Sequence, residues 1–209
     1  MKTSLFFIIS FLAFSISLNS SSSSAGELAP EPVLDTAGNV LRTDRDYYIL
    51  PAKVRGRFRG GGLTLSSIGN DTCPVGVFQE MSEQRNGIPL TFSPVKQRYG
   101  VVRTSTDLNI QFAYPETCGE SPVWRVDNYL DPSADSFVSI GGVVGNPGPA
   151  TLGSWFKIQK FGYDYKLVYC PAVCSYCDAI CKDVGILYQN GERRLFLNDY
   201  PLRVVFKLA

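Results

Sequence analysis

Short apolar runs separated by turn-forming residues are the feature that most limits what this chain can fold into. Period-2 or continuously apolar runs recur along it, and no stretch shows a comparable helical stripe. The residues between the runs, such as Gly60-Gly61-Gly62, are types that accept the backbone angles of turns. The runs are 47–50, 63–65, 108–112, 123–126, 137–140, 155–158, 165–169 and 204–206. The sequence therefore predicts an all-β fold.

The clearest single element is a hairpin near the C-terminus. Residues 185–189 and 193–197, each with apolar residues at its centre or end, lie on either side of Asn190-Gly191. Asn-Gly is the dipeptide that tight two-residue hairpin turns favour, because both positions need a positive φ. We therefore predict two antiparallel strands that meet at this turn.

A weak internal repeat limits the fold further. Three pairs of runs recur at a spacing of about 45 residues, which is typical of repeated units around a shared core. The pairs are 63–65 with 75–78, 108–112 with 123–126, and 155–158 with 165–169. Three units of four strands would make a β-trefoil with a pseudo-threefold repeat and about twelve strands. A sandwich or another barrel is also compatible with this periodicity.

The N-terminus has the pattern of a secretory signal peptide. Lys2 precedes an apolar run over 5–18 that is short for a bilayer core of about 30 Å, and small residues at Ser23 and Ala25 precede Gly26. We expect residues 1–25 to be removed, which leaves a mature domain over 26–209. The predicted location is extracellular or vacuolar, with no membrane anchor.

Secretion changes how the cysteines are interpreted. The six cysteines all lie in the mature part, and an even number in an oxidising compartment predicts three disulfides whose pairing stays open. Iron-sulfur or zinc binding by the last four is disfavoured because such thiolate sites belong to reducing compartments. No metal or other cofactor is predicted. Asn70-Asp71-Thr72 is an N-glycosylation acceptor, which makes Asn70 a candidate glycosylation site.

Composition excludes several classes of function. The chain has no histidine, so it lacks the base of Ser-His-Asp and Cys-His catalysis. Its 20 basic and 19 acidic residues give no surplus for nucleic-acid binding. Asp35-Thr36-Ala37-Gly38 differs from the Asp-Thr-Gly motif of aspartic proteases by an inserted residue. We therefore predict that the protein is not an enzyme, although composition alone leaves a carboxylate-pair glycosidase open.

A basic stretch offers a separate binding hypothesis. Lys53, Arg55, Arg57 and Arg59 alternate with smaller or apolar residues before the glycine triplet. They indicate either a charged sheet edge that discourages aggregation or a site for acidic polysaccharide.

Several separated motifs carry a resemblance to a known family. They are the segment 33–41 followed by Tyr47-Tyr48-Ile49 and then, in order along the chain, 101–110, 123–125, 145–149, 154–158 and 165–171. The first resembles the N-terminal signature of the Kunitz-type soybean trypsin inhibitor family of plants, and the later segments resemble its miraculin-like branch. The resemblance spans most of residues 31–208 and implies a β-trefoil. It also implies the disulfides Cys73–Cys118, Cys170–Cys181 and Cys174–Cys177.

The same resemblance implies a serine protease inhibitor that serves in defence, with an exposed loop that a protease binds as a substrate. Pro94, Val95, Lys96, Gln97 and Arg98 occupy the matching positions, inside the Cys73–Cys118 loop that we expect to brace them. Lys96 corresponds to P1, the residue that enters the protease specificity pocket. Arg98 is the second candidate, because the segment is about two residues longer than in the soybean-type inhibitors.

The expected partner is a trypsin-like protease that a monomer of the inhibitor would bind. Thr43 stands where the family has an Asn that supports both sides of the scissile bond, and its single hydroxyl would support one carbonyl. The alternative functions are a non-inhibitory binding or storage protein, or a protein that binds cysteine proteases or carbohydrate.

Overall fold

The structure is a computed structural model that describes residues 30–53, 60–96, 99–131 and 134–209. Within these ranges it contains twelve strands and one short 3-10 helix, Pro149–Ser154, and it has no helix that could cross a membrane. The strands are β1 (Tyr47–Pro51), β2 (Leu63–Ser67), β3 (Pro74–Gln79), β4 (Leu90–Pro94), β5 (Leu108–Phe112), β6 (Arg125–Val126), β7 (Val138–Ser139), β8 (Lys157–Phe161), β9 (Asp164–Tyr169), β10 (Lys182–Gln189), β11 (Glu192–Asn198) and β12 (Val204–Leu208). The all-β prediction is confirmed. The predicted signal peptide and Arg55, Arg57 and Arg59 lie outside the described residues.

Six of the strands close into a barrel. β1 pairs with β12 and β4, β4 pairs with β5, and β9 pairs with β8 and β12. The ring closes between β5 and β8, where Leu108 and Phe156 exchange two backbone hydrogen bonds of 2.9 Å. Closure of this kind satisfies strand edges that would otherwise be open to aggregation.

The other six strands form three hairpins that cover one end of the barrel. These hairpins are β2–β3, β6–β7 and β10–β11. β3 pairs with β7 and with β11, and Phe137, directly before β7, bridges to Phe196 of β11. The hairpins therefore meet pairwise in a triangle. Barrel and cap both have three equivalent parts, so the predicted β-trefoil is confirmed.

The repeat that led to this prediction was assigned incorrectly. The three predicted pairs of runs are β2–β3, β5–β6 and β8–β9, which do not occupy equivalent positions in the three units. The units begin at Tyr47, Leu108 and Asp164, so their spacing is about 60 residues rather than 45. The error arose because barrel strands and cap strands have similar apolar patterns. The hairpin at Asn190-Gly191 is confirmed, and both turn residues have a positive φ.

Aromatic side chains fix the strands on both sides of the β4–β5 connection. Phe92 of β4 packs edge-on against Phe206, with ring centroids 5.6 Å apart. Phe112 of β5 packs against Trp124 at 5.8 Å, and Trp124 against Phe156 at 5.9 Å. Pairs of this kind contribute about 0.5–1.5 kcal/mol beyond the burial of their area. The connection between β4 and β5 therefore starts and ends on rigid strands.

The structure joins Cys73 to Cys118, Cys170 to Cys181 and Cys174 to Cys177, which is the pairing that the resemblance implies. Cys118 follows the end of β5 at Phe112, whereas the β4–β5 connection precedes Leu108 at the other end of that strand. The two ends of β5 are roughly 13 Å apart. The Cys73–Cys118 disulfide is therefore attached away from the predicted loop, and other contacts must hold that loop in place.

Two other sequence features have clear positions. The Asp35 carboxylate accepts hydrogen bonds from the backbone N–H groups of Ala37 and Asn39, at 2.9 and 2.8 Å, so this residue shapes a turn. Asn70 lies in an exposed turn between β2 and β3. It is accessible to a glycosyltransferase, and its glycosylation stays a prediction.

Candidate functional site

The β4–β5 loop, residues 95–107, contains most of the predicted site. Pro94 ends β4 and is buried, Val95 is half-buried and Lys96 is exposed. Gln97 and Arg98 lie outside the described residues. The sequence therefore changes from a fixed strand end to an exposed basic side chain within two residues. The choice between Lys96 and Arg98 as P1 stays a prediction.

The first limb of the loop is fixed up to the residue before Lys96. Pro94 stands opposite Leu108 in the β4–β5 register. The N–H of Val95 then donates a hydrogen bond of 2.8 Å to the backbone carbonyl of Asp107. Lys96 consequently extends from a backbone whose position is already determined.

The return limb of the loop is fixed by a different part of the chain. The segment 30–43 lies along residues 100–104 and forms bridges from Pro32 to Arg103 and from Arg42 to Val101. Further backbone hydrogen bonds join Val102 to Val33 and Leu41, and Thr104 to Glu31. Tyr99 and Gly100, at the start of this limb, have φ values of 58° and 63°. The positive φ of Tyr99 is uncommon for a side chain of this size and marks a sharp turn at the exposed end of the loop.

Thr43 lies against the return limb. Its backbone N–H donates a hydrogen bond of 3.0 Å to the carbonyl of Gly100. Its hydroxyl oxygen would be 3.4 Å from a Cβ added to Gly100. Among the described residues, no hydrogen bond joins the Thr43 hydroxyl to Pro94, Val95 or Lys96. The contacts of Thr43 that the structure describes therefore support the side of the loop after Lys96.

Asp107 at the base of the loop is the residue that the sequence prediction missed. Its side chain is buried, and its carboxylate accepts the N–H of Ala172 at 3.2 and 3.3 Å. The ammonium group of Lys157 lies 3.6 Å from the same carboxylate and donates a 2.7 Å hydrogen bond to the carbonyl of Cys170. Burial raises the pKa of Asp107 above its ordinary value, against the opposing effects of Lys157 and Ala172. The sequence signal that could have identified Asp107 is its position directly before the apolar strand β5.

A groove of about 470 Å³ lies beside Lys96, between the loop and the N-terminal segment. Its walls include Pro30, Pro94, Tyr99 and Val101, and Lys96 and Arg103 supply two positive charges. The Arg103 guanidinium also donates a 3.2 Å hydrogen bond to the carbonyl of Pro30. An apolar groove with basic residues suits the surface of a protein that carries acidic groups. Across the described ranges, no cluster of three or more potential metal ligands is present.

Comparison with known proteins gives matches over most of the chain. The Kunitz_legume family model, described as trypsin and protease inhibitor, matches residues 33–208. Kunitz trypsin inhibitor 5 of Arabidopsis thaliana is 45% identical over 183 residues, which cover 88% of each chain. Miraculin of Synsepalum dulcificum is 48% identical over 192 residues, which cover 88% of this chain and 86% of miraculin.

Solved structures match over similar lengths. A Kunitz-type cysteine protease inhibitor from potato, PCPI-3, superposes with a TM-score of 0.73 and 34% identity, and the match covers 87% of this chain and 98% of that chain. A complex of porcine pancreatic trypsin with soybean trypsin inhibitor gives a TM-score of 0.67 and 27% identity, with coverage of 85% and 99%. Each of these two matches covers at least 85% of this chain.

Proposed function

This chain belongs to the Kunitz-type family of trypsin and protease inhibitors, and we propose on that premise that it inhibits trypsin-like serine proteases through the β4–β5 loop. The observation that carries the proposal is the position of Lys96. This basic side chain is exposed, and the preceding residue is held by the Val95–Asp107 hydrogen bond. A substrate-like loop needs both properties, a free side chain and a fixed backbone.

The mechanism follows from the specificity of the target enzyme. Trypsin-like proteases place a carboxylate at the bottom of the pocket that accepts P1. The ammonium group of Lys96 would meet that carboxylate, while the backbone held at Val95 presents Lys96 to the catalytic groups as a substrate does. Because both limbs of the loop are already ordered, little conformational entropy is lost on binding. Slow release of the cut ends would then allow the bond to re-form.

The proposed location is outside the cell or in a vacuole. Three disulfides support this part of the proposal, because such bonds persist in oxidising compartments. Removal of residues 1–25 as a signal peptide would direct the chain there. Under this proposal the mature chain acts as a monomeric, non-enzymatic defence protein, since residues of one chain make the whole proposed contact.

A second candidate function is inhibition of a cysteine protease. It is favoured by the match to the potato inhibitor, which is named for that activity. Under this candidate the binding surface need not be the β4–β5 loop.

Titration of the purified mature protein against trypsin, chymotrypsin and papain tests the two candidates together. We expect the residual trypsin activity to fall in proportion to the inhibitor added, with weaker effects on chymotrypsin and papain. Full trypsin activity in the presence of excess protein would refute the main proposal. Inhibition of papain alone would support the second candidate, and no effect on any of the three would favour a binding or storage role.

A further inference from the structure

We infer that Asp107 is a positioning residue for the β4–β5 loop, because its carboxylate joins the base of that loop to β8 and to the disulfide-bonded segment 170–177. The importance of Asp107 for inhibition rests on the proposed function. The role of Asp107 in placing the loop is independent of that function and can be measured without a protease.

The backbone of Asp107 holds the first limb directly. Its carbonyl accepts the N–H of Val95 at 2.8 Å, and Val95 is covalently bonded to Lys96. A displacement of the Asp107 backbone would therefore move the residue that precedes the exposed lysine. The next residue, Leu108, is fixed by its two backbone hydrogen bonds to Phe156. Asp107 is therefore the last residue of the loop before the strand contacts of β5 begin.

The side chain of Asp107 connects that backbone to two other parts of the chain. Its two oxygens accept the N–H of Ala172, and Lys157 of β8 lies 3.6 Å from one of them. Lys157 also donates to the carbonyl of Cys170, which begins the nested disulfide segment. Ala172 lies between Cys170 and Cys174, whose two disulfides shorten the freely moving length of this segment. The loop base is thus connected to a part of the chain that is cross-linked twice.

Burial of an ion pair is by itself weak evidence for a contribution to folding stability. Asp107 and Lys157 are both largely buried, with side-chain exposures of 10% and 14%. Burial raises the pKa of Asp107 despite the nearby Lys157, so ionisation of this group is less favourable in the folded protein than in water. Polar contacts that cost stability can instead specify one geometry. At this position the geometry specified is that of the loop base.

A matched pair of ionic contacts allows a controlled test. The carboxylate of Asp183 in β10 lies 2.7 Å from the ammonium group of Lys166 in β9, and the side chains are 17% and 20% exposed. This pair has the same charges and similar burial, and it lies outside the β4–β5 loop. Asp107→Asn and Asp183→Asn therefore make the same chemical change, but only Asp107 is connected to the β4–β5 loop.

The test is backbone amide hydrogen exchange, measured by NMR on the mature secreted protein with all three disulfides formed. We expect Asp107→Asn to accelerate exchange of the Val95 amide by at least about tenfold, because the bond to a charged acceptor that orders the loop base is weakened. Asp183→Asn should leave the Val95 amide within about twofold of the wild type. Unchanged exchange at Val95 in Asp107→Asn, or an equal acceleration in both variants, would overturn the inference.

A second pair of variants covers the case in which Asp107→Asn does not fold. Lys157→Gln removes the charge beside Asp107 and keeps a polar side chain there, and Lys166→Gln is its control. We expect exchange of the Val95 amide to be faster in Lys157→Gln than in Lys166→Gln. If the wild-type protein fails to inhibit trypsin, the proposed function is refuted while the exchange result still decides the role of Asp107. If the protein inhibits trypsin, Asp107→Asn should also be cleaved faster after Lys96 than Asp183→Asn.

Discussion

Replacement of Lys96 by alanine is the most direct perturbation of the proposed protease contact. Lys96 is exposed and follows a backbone held at Val95, so its truncation removes a side chain without disturbing a packed contact. In the complex, the same change would leave the carboxylate of the protease pocket without its partner. Truncation of a charged residue at the centre of an interface of about 1,600 Å² commonly costs 2 kcal/mol or more. We therefore expect trypsin to bind Lys96→Ala at least about thirtyfold more weakly.

The assay is a competitive titration with a fluorogenic substrate, from which the inhibition constant is fitted for each variant. Lys96→Arg should retain tight binding, because arginine also reaches the pocket carboxylate. Lys207→Ala is the matched control, since Lys207 is exposed on β12, which pairs with β1 outside the loop. Unfolding by urea should give the same midpoint for Lys96→Ala and the wild type.

Three outcomes would show where the reasoning is wrong. If Lys96→Ala binds trypsin as tightly as the wild type does, Lys96 is not P1. A large loss only in Arg98→Ala would assign P1 to that residue. Equal losses in both variants would mean that the lengthened loop binds in more than one register.

Two further predictions concern stability. Replacement of Cys73 and Cys118 by alanine should lower the free energy of unfolding by up to about 4 kcal/mol, because the disulfide closes a segment of 45 residues. Inhibition below the unfolding temperature should be retained. Loss of inhibition by the folded variant would contradict the placement of this disulfide away from the loop. Burial raises the pKa of Asp107 above its ordinary value of 3.8, so the folded protein holds this proton more tightly than the unfolded chain does. The stabilising contribution of Asp107 therefore falls as the pH rises from 3.8 through the raised pKa. The destabilisation by Asp107→Asn, measured by urea unfolding, should therefore be larger at about pH 3 than at about pH 7, and the opposite trend would contradict the burial of the charge.

Local patterns predicted the strands well where the turn chemistry was strong. Asn190-Gly191 located the β10–β11 hairpin, and the run over 108–112 coincides with β5. β4 was absent from the predicted runs, although Leu90 and Phe92 are buried and Thr91 between them is half-buried. β4 contains only two apolar residues before its proline, Leu90 and Phe92, so its alternation is less distinctive than the three apolar residues of β5.

The site was less predictable than the fold, because its support comes from residues that are distant in sequence. Asp107 binds Ala172, 65 residues further along the chain, and no local pattern relates these two positions. The N-terminal segment that holds the return limb was recognised only as part of a family signature. Periodicity shows which residues face the core, whereas contacts between loops depend on the closure of the whole barrel.

The support for the loop is divided between two limbs, and this division bears on whether the protein acts as an inhibitor or as a substrate. Before Lys96, the backbone of Val95 is hydrogen-bonded to that of Asp107. After Lys96, the backbone of Gly100 is hydrogen-bonded to that of Thr43. A cut after Lys96 would therefore leave one new end attached to β5 and the other attached to the N-terminal segment. Neither attachment requires an intact loop, so Val95 before the cut and Gly100 after it would stay in place after cleavage. Religation is favoured when the reacting ends stay near each other, and the smaller side chain at Thr43 is compatible with inhibition for as long as the backbone bond to Gly100 holds.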